Sequence, residues 1–359
     1  MNLSPQKQWA REHYRGVENS PKTPFTPDFR NLDEEGIRLD VRHCIENGFS
    51  STMLASTYTS IAEKKRFLEV VCDEAKGRIK IGLNLFPHPA NEAIELLNFA
   101  EKTACTHAFV GVPRNLKIDT EKDVLNYFAT ICEATSLPLV IYGAPSPKML
   151  NLHPSGFPIS LFNKIADLPN IVGMKLTQPI DIALAFELCE VFADRLLIGP
   201  ANLASVPMIA KNYGVQWIGQ WVVEALQSPS KPYLVEFMSL INRNKFSDAM
   251  RIYWHLAKAY WYVHNLQESY LHAGTHPWVH INYFHWLTGG NGGLPRKSPR
   301  PNEMEATLSS KDRAEIREAY ASIGIINEID PEEQFIVGRT NFSKGVRANE
   351  VNSTHCYSE

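Results

Sequence analysis

The 359-residue chain has no long apolar run. A membrane-spanning helix needs roughly 18 or more consecutive apolar residues, and no window of the sequence reaches that length. The first seven residues also lack the apolar stretch that marks a secretory signal peptide. We therefore expect neither a membrane partner nor export.

Paired cysteines are absent as well. The six cysteines are scattered and none forms a C-x-x-C pair, whereas disulfide frameworks and zinc sites need closely spaced cysteines. We therefore expect reduced thiols in a cytoplasmic protein. Among the twelve histidines, only His272, His276 and His280 recur with helical spacing, and the sequence identifies no carboxylate or cysteine partner for them. No metal is predicted.

An excess of charge of one sign is missing too, since the net charge is only -3 at pH 7. Domains that bind nucleic acid are usually strongly basic. The chain also has no G-x-G-x-x-G after its first strand and no G-x-x-x-x-G-K-[ST] motif. We therefore expect no nucleic-acid partner and no nucleotide-binding fold.

What the sequence does contain is a series of short apolar runs separated by amphipathic helical stretches. Residues 79–85, 107–113 and 139–145 are examples, and each run is apolar throughout rather than alternating. Parallel strands that are covered on both faces have this composition. About eight such units predict an α/β fold, an eight-stranded parallel β/α (TIM) barrel with a C-terminal helical extension.

The pattern changes after about residue 225. We predict a barrel over residues 1–225, a helical region packed on the barrel over 226–325, and a polar tail over 326–359. Residues 233–266 are expected to form one long helix that is rich in aromatic residues. The tail is expected to lie on the surface or to reach a neighbouring subunit.

One predicted strand contains a lysine. Residues 170–177 read N-I-V-G-M-K-L-T, and this short apolar run is bounded by Pro169 and Pro179. A buried ammonium group is costly, so Lys175 needs an explanation. Its side chain either extends towards water or a carboxylate, or burial lowers its pKa so that the amine attacks a carbonyl and forms a Schiff base.

A tyrosine stands near the end of the preceding strand. Active sites of β/α barrels lie at the carboxyl ends of the strands, where Tyr142 and Lys175 are both expected. Forming an imine and breaking the bond beyond it require proton transfers, which a phenol can carry out. The alternative is that Tyr142 is an ordinary half-buried strand residue.

Together the two strands resemble the class I aldolase family of the dihydrodipicolinate synthase and N-acetylneuraminate lyase type. Residues 141–145 match that family's Y-N-x-P turn, with Gly143 in place of Asn, and residues 170–175 match its N-I-V-G-x-K strand. The resemblance spans about residues 16–325. It implies that Lys175 is the Schiff-base lysine and that Tyr142 is the proton shuttle.

The resemblance also implies where the substrate binds. The family's G-T-x-G-E loop, which holds the carboxylate of pyruvate, falls on residues 56–60, and it implies substrate-binding roles for Ser56, Thr57 and Tyr58. The threonine is kept, whereas both glycines and the glutamate are replaced. Gly143 is the remaining substrate-binding candidate in the turn after Tyr142.

Within the family, the chain is most similar to the hydratase-aldolases that cleave arylidene-pyruvates. Residues 111–113, Trp221 and residues 286–290 carry this similarity. Trp217, Trp221 and Tyr58 are expected to line a pocket for an apolar aldehyde, unless they are plain core residues. The arginine and the second tyrosine of dihydrodipicolinate synthase are missing, so we do not expect that reaction itself.

These similarities imply a Schiff-base lyase that needs no cofactor. It would cleave or form a C–C bond in a 2-oxo acid, with pyruvate and an aromatic or apolar aldehyde as the other species, with or without hydration. A dehydratase of 2-keto-3-deoxy sugar acids and a non-catalytic ligand-binding barrel are the alternatives. Members of the family are usually dimers or tetramers, so a homo-oligomer is expected.

Overall fold

The structure is a computed structural model. It describes residues 3–56, 58–86, 88–113, 115–177, 180–219, 223–272, 275–299, 304–326 and 330–358. Within this part of the chain, no helix combines the length and the apolar character that crossing a bilayer requires.

Eight parallel strands form a nearly closed barrel, which confirms the predicted fold class. The strands are β1 (Gly16–Asn19), β2 (Ser51–Leu54), β3 (Lys80–Asn84), β4 (Cys105–Val110), β5 (Leu139–Gly143), β6 (Ile171–Leu176), β7 (Leu197–Pro200) and β8 (Trp217–Gly219). Their hydrogen-bonded order is β7-β6-β5-β4-β3-β2-β1-β8. The two ends of this order meet where the Trp217 ring packs against the α-carbon of Gly199.

One helix precedes β1, and the others follow the strands and cover the barrel. They are α1 (Pro5–His13), α2 (Glu34–Glu46), α3 (Ile61–Ala75), α4 (Ala90–Ala100), α5 (Glu121–Glu133), α6 (Ile159–Ala166), α7 (Ile182–Phe192), α8 (Val206–Tyr213) and α9 (Tyr233–Asn242). Their starts carry local signals, for example the capping box in which Ser60 and Glu63 exchange hydrogen bonds at the first turn of α3. Apolar stripes on these helices join the strands in one continuous core.

Helix α1 lies in a segment for which the sequence predicted no element. Ser4 caps it by accepting a hydrogen bond from the Lys7 backbone, and Pro5 occupies its first position. Ala10 from this helix and the following Tyr14 pack with Trp217 inside the barrel, so α1 closes the barrel's amino-terminal end. The Ser-Pro pair was the available signal, since both residues favour helix starts.

The C-terminal region continues with α10 (Phe246–His272), α11 (Trp278–Leu287), α12 (Ser310–Ser322), α13 (Glu332–Val337) and α14 (Arg339–Ser343). The prediction of one helix over residues 233–266 is wrong, because α9 ends before Asn244 and α10 begins after it. Asn244 has φ 57°, a left-handed conformation that asparagine tolerates and that ends a helix.

Residues 330–358 belong to the fold, although the sequence suggested a polar tail. Phe335 of α13 is fully buried, with its ring 4.9 Å from the ring of Tyr283 and 5.6 Å from that of Trp286. Cys356 is buried as well. A few apolar anchors therefore hold a mostly polar segment against the helical region.

Candidate active site

Lys175 lies on β6 and is buried, with 5% of its surface exposed. Every residue of β6 is buried, because neighbouring strands flank it and helices cover its outer face. Burial lowers the pKa of Lys175 to about 8, and the carboxylate of Glu18 opposes that shift. The neutral amine, which a nucleophilic lysine requires, is therefore far more abundant near neutral pH than for a lysine in water.

Tyr142 is the direct neighbour of Lys175. The two residues are register partners in the parallel ladder between β5 and β6, and Lys175 Nζ lies 5.5 Å from the centre of the Tyr142 ring. The phenol donates a hydrogen bond to Met53 Sδ at 3.2 Å. Burial, together with the charge of Glu18, raises the pKa of Tyr142. The phenol thus stays protonated and makes only a weak hydrogen bond, so it can act as a proton donor.

An aromatic wall flanks this pair. The ring of Tyr142 lies 5.5 Å from the ring of Phe86, which follows β3, and 5.6 Å from the ring of Phe109 on β4. Phe109 also lies 6.0 Å from Lys175 Nζ. Gly111 permits the approach of Phe86, because a β-carbon there would stand 2.8 Å from its ring. Neither Phe86 nor Phe109 was predicted from the sequence as a site residue.

Gly143 allows β5 and β6 to approach closely beside the lysine. A β-carbon at this position would lie 2.7 Å from Met174 Cγ and 3.0 Å from the backbone oxygen of Lys175. The Gly143 carbonyl also accepts a hydrogen bond from the Thr177 backbone at 3.2 Å. Close packing of the two strands therefore explains why a glycine stands at position 143. Its role in substrate binding stays a prediction.

The loop after β2 is held by cations from outside it. Lys64 Nζ donates hydrogen bonds to the carbonyl and hydroxyl of Ser56 and to Thr59 Oγ1. Arg296 donates to the carbonyl of Tyr58 at 3.1 Å. Burial lowers the pKa of Lys64 to about 8. Thr57 lies outside the described residues, so its predicted contact with a carboxylate stays a prediction.

Trp217 lies inside the barrel and is almost completely buried. Its ring lies 4.8 Å from that of Tyr14 and 6.2 Å from that of Phe109, and it fills the space beside Gly199 and Gly219. This position suits the core interpretation weighed for it, and a contact with substrate stays a prediction. Trp221 lies outside the described residues.

The strands that contain Tyr142 and Lys175 lie in a region that matches a known protein family. A sequence profile of the Dihydrodipicolinate synthetase family matches residues 13–198. The match covers more than half of the chain and includes both Tyr142 and Lys175. The chain belongs to the dihydrodipicolinate synthetase family. This membership agrees with the resemblance inferred from the two strand motifs.

Individual relatives share about a quarter of their aligned residues with this chain. The 4-hydroxy-tetrahydrodipicolinate synthase of Methanopyrus kandleri is 27% identical over 194 residues, which cover 52% of this chain and 63% of that protein. The enzyme of the same name from Sulfurihydrogenibium sp. is 25% identical over 244 residues, 66% of this chain and 79% of that protein. The chain thus spans less than two thirds of the length of the Methanopyrus protein.

Solved structures show the fold of the family. The crystal structure of N-acetylneuraminate lyase from Fusobacterium nucleatum matches with a TM-score of 0.66 and 21% identity, covering 86% of this chain and 98% of that one. Because the identity is low, this likeness establishes the barrel and not the substrate.

A buried network around Glu18 lies beside the site and was not predicted from the sequence. Glu18 on β1 accepts hydrogen bonds from Tyr14 Oη at 2.7 Å and from His107 Nε2 at 2.8 Å, and all three residues are buried. Its charge raises the pKa of both Lys175 and Tyr142. A glutamate in a short, otherwise apolar strand was the available signal, because buried carboxylates need partners.

Proposed function

We propose that the protein is a carbon–carbon lyase of the Schiff-base type that acts on a 2-oxo acid. The observation that carries this proposal is the pairing of Tyr142 with Lys175, a buried lysine whose lowered pKa provides a neutral amine. Membership in the dihydrodipicolinate synthetase family supports the same chemistry.

The proposed reaction begins with attack of Lys175 Nζ on C2 of the 2-oxo acid. The carbinolamine loses water to leave a protonated imine at C2. When the C3–C4 bond breaks, the C4 hydroxyl gives up its proton and the electron pair of the bond passes into the imine, which becomes an enamine. The aldehyde leaves, and the enamine takes up a proton at C3 before water releases pyruvate. Tyr142 Oη transfers protons in these steps, since its protonated phenol lies beside the amine.

The second product is proposed to be an aromatic or apolar aldehyde, with or without a hydration step. The rings of Phe86, Phe109 and Tyr142 support this, because they line the side of the site next to the amine and offer a polyol few hydrogen-bonding groups. The sugar-acid dehydratase and the non-catalytic barrel remain as outcomes of the experiments below.

Trapping with borohydride tests the imine. Incubation with pyruvate and borohydride should add one 1-carboxyethyl group to Lys175, located by peptide mass spectrometry. Lys175→Met should take up none, while Lys7→Met, which changes another buried lysine, should still be labelled at Lys175. An unlabelled wild-type protein with intact folding would contradict the proposal and favour a ligand-binding barrel.

Turnover tests the second substrate. With pyruvate as donor, condensation should be faster with benzaldehyde than with glyceraldehyde. Faster conversion of a 2-keto-3-deoxy sugar acid than of benzylidenepyruvate would instead favour the dehydratase.

We also propose a homo-oligomer, a dimer or a tetramer. Trp254 and Trp261 stand two turns apart on α10 and are 66% and 48% exposed. Large exposed aromatic residues on one helix face are typical of interaction surfaces. Light scattering should show more than one subunit in the wild type, and replacing both tryptophans with alanine should reduce the mass.

We propose a cytoplasmic location because the cysteines form no disulfides. All six cysteines are free in the structure, which suits a reducing compartment.

A further inference from the structure

A second buried lysine stands at the carboxyl end of the barrel. Lys22 follows β1, and its backbone forms a parallel bridge with Ala55, the residue before the Ser56 loop. Asn19 points outward, since its amide contacts Cys44 of α2 at 2.8 Å. Glu18 has the opposite parity and points inward, and the ammonium of Lys22 reaches Ser20 Oγ at 3.2 Å. The bridge partner Ala55 continues β2 with the parity of Met53, which packs among the interior residues of the barrel. Lys22 is therefore placed on the interior side.

The ammonium of Lys22 is buried, and its hydrogen-bond partners are neutral. Lys22 is 7% exposed, and its Nζ donates to the carbonyl and hydroxyl of Ser20. The Trp278 ring lies 5.1 Å away. In the part of the chain that the structure describes, no carboxylate approaches Lys22 Nζ within 4.0 Å. A buried cation without a paired anion is costly, so a ligand anion is the partner that would complete it.

The charge of Lys175 acts on Lys22. Burial lowers the pKa of Lys22 to about 7; Glu224 opposes that shift, and the charge of Lys175 adds to it. This end of the barrel thus contains two ammonium groups whose charge is unfavourable without an anion. Binding one carboxylate would relieve both, because an opposite charge favours the protonated form of each amine.

We propose that Lys22 binds the carboxylate of the 2-oxo acid, together with the loop that begins at Ser56. The inference rests on the proposed function, since it names a further residue of the same site. It accounts for a loop that has lost the glycines and the glutamate of the family pattern. A charged donor that follows β1 supplies the attraction that loop N–H groups supply in that pattern. Lys22 is thereby a specificity residue for anionic substrates.

The experiment compares pyruvate with its uncharged methyl ester. Borohydride labelling of Lys175 is measured against the concentration of each ketone in the wild type, in Lys22→Met and in Lys7→Met. Lys7 is a matched control, because it is also buried but lies at the other end of the barrel and donates to the Ala166 carbonyl. For Lys22→Met, the pyruvate concentration at half-maximal labelling should rise about tenfold or more. The value for the ester should stay unchanged, and Lys7→Met should match the wild type for both ketones.

The pH dependence supplies a second measurement on the wild type. As Lys22 loses its proton above about pH 7, half-maximal labelling should require progressively more pyruvate relative to ester. Lys175 must be neutral to attack either ketone, so the ratio largely removes its contribution. Glu224 and His285, the other charged or titratable groups that interact with Lys22, remain in Lys22→Met. The ratio should therefore become independent of pH in that variant.

The two proposals fail differently. Absence of labelling in the wild type would overturn the proposed function. If half-maximal labelling needs the same pyruvate concentration in the wild type and in Lys22→Met, only the role of Lys22 is overturned. The role of Lys22 is also overturned if Lys22→Met raises the half-maximal concentrations of pyruvate and of the ester equally. The same holds if the ratio of these two concentrations still depends on pH in Lys22→Met.

Discussion

Tyr142 and Lys175 are partners on adjacent strands, and the amine lies 5.5 Å from the centre of the phenol ring. Their side chains leave the same face of the ladder, because register partners in a parallel pair point in the same direction. The backbone of two central strands, rather than a loop, therefore fixes the distance between nucleophile and proton donor. Precise placement of this kind is what catalysis requires.

Tyr142→Phe should separate imine formation from turnover. The variant keeps the ring and its packing but loses the proton donor, so turnover should fall by about 10²–10⁴-fold. Borohydride labelling of Lys175 with pyruvate should persist at long times. Tyr127→Phe is the control, since this tyrosine lies on α5 and donates only to the His88 carbonyl. Unchanged turnover in Tyr142→Phe would show that another group transfers the proton.

Glu18→Gln should move the pH profile of imine formation towards acid. The Glu18 carboxylate raises the pKa of Lys175, so its removal should lower that pKa below about 8 and leave more neutral amine at a given pH. The midpoint of the labelling rate should fall by roughly one pH unit. The rate is measured with pyruvate from roughly pH 6 to pH 9, so that the range includes the midpoint.

Tyr14→Phe is the matched control for that experiment. It removes one hydrogen bond from Glu18 but leaves the carboxylate charge, so the midpoint should stay near that of the wild type. An unchanged midpoint in Glu18→Gln would mean that the network is structural and does not tune the amine.

Lys64→Met should weaken substrate binding more than it slows the chemical step. The change removes the hydrogen bonds that hold Ser56 and Thr59, so the loop loses its fixed geometry. KM for pyruvate should rise about tenfold while kcat changes little. Lys65→Met is the control, because that lysine points outward to Glu95. A fall in kcat without a change in KM would contradict this role.

Lys175→Met should stabilise the protein, and the gain should depend on pH. The folded-state pKa is about 8 and the unfolded value is near 10.5, so below about pH 8 the folded state contains an unfavourable buried charge. There the gain in free energy of unfolding should be on the order of a few kcal/mol. Above pH 8 the folded lysine releases its proton, so the gain should shrink towards pH 10.

Urea denaturation at pH 7 and pH 9, chosen as values about one unit either side of that pKa, measures this difference. Lys211→Met, at an exposed position on α8, should change stability little at either pH. A gain that is the same at both pH values would show that Lys175 is not a buried cation in the folded protein.

Much of the barrel could be predicted because its strands are covered on both faces. A strand such as β6 must be apolar throughout, so residues 171–176 are recognisable by composition alone, and a lysine among them stands out. The prediction failed where single residues decide a boundary. Asn244 interrupts a helical pattern with one left-handed residue, and α1 is too polar to be recognised by periodicity.

The site was predictable only in part for a related reason. Lys175 and Tyr142 stand in recognisable strand motifs, whereas Phe86, Phe109 and Glu18 look like any strand or loop residues until the barrel closes. Lys22 and Lys64 are ordinary lysines in the sequence. Only burial changes their chemistry, because a pKa responds to neighbours that are distant along the chain.

The sequence by itself determined the alternation of strands and helices, the strand that contains Lys175 and the family, because these depend on local composition and on short motifs. Only the tertiary structure decided that the lysine is buried beside Tyr142, that the Glu18 carboxylate is buried in a network next to them, and that a second ammonium stands at the same end of the barrel. These relations depend on distances and on exclusion of water, which exist only after the strands have closed into a ring.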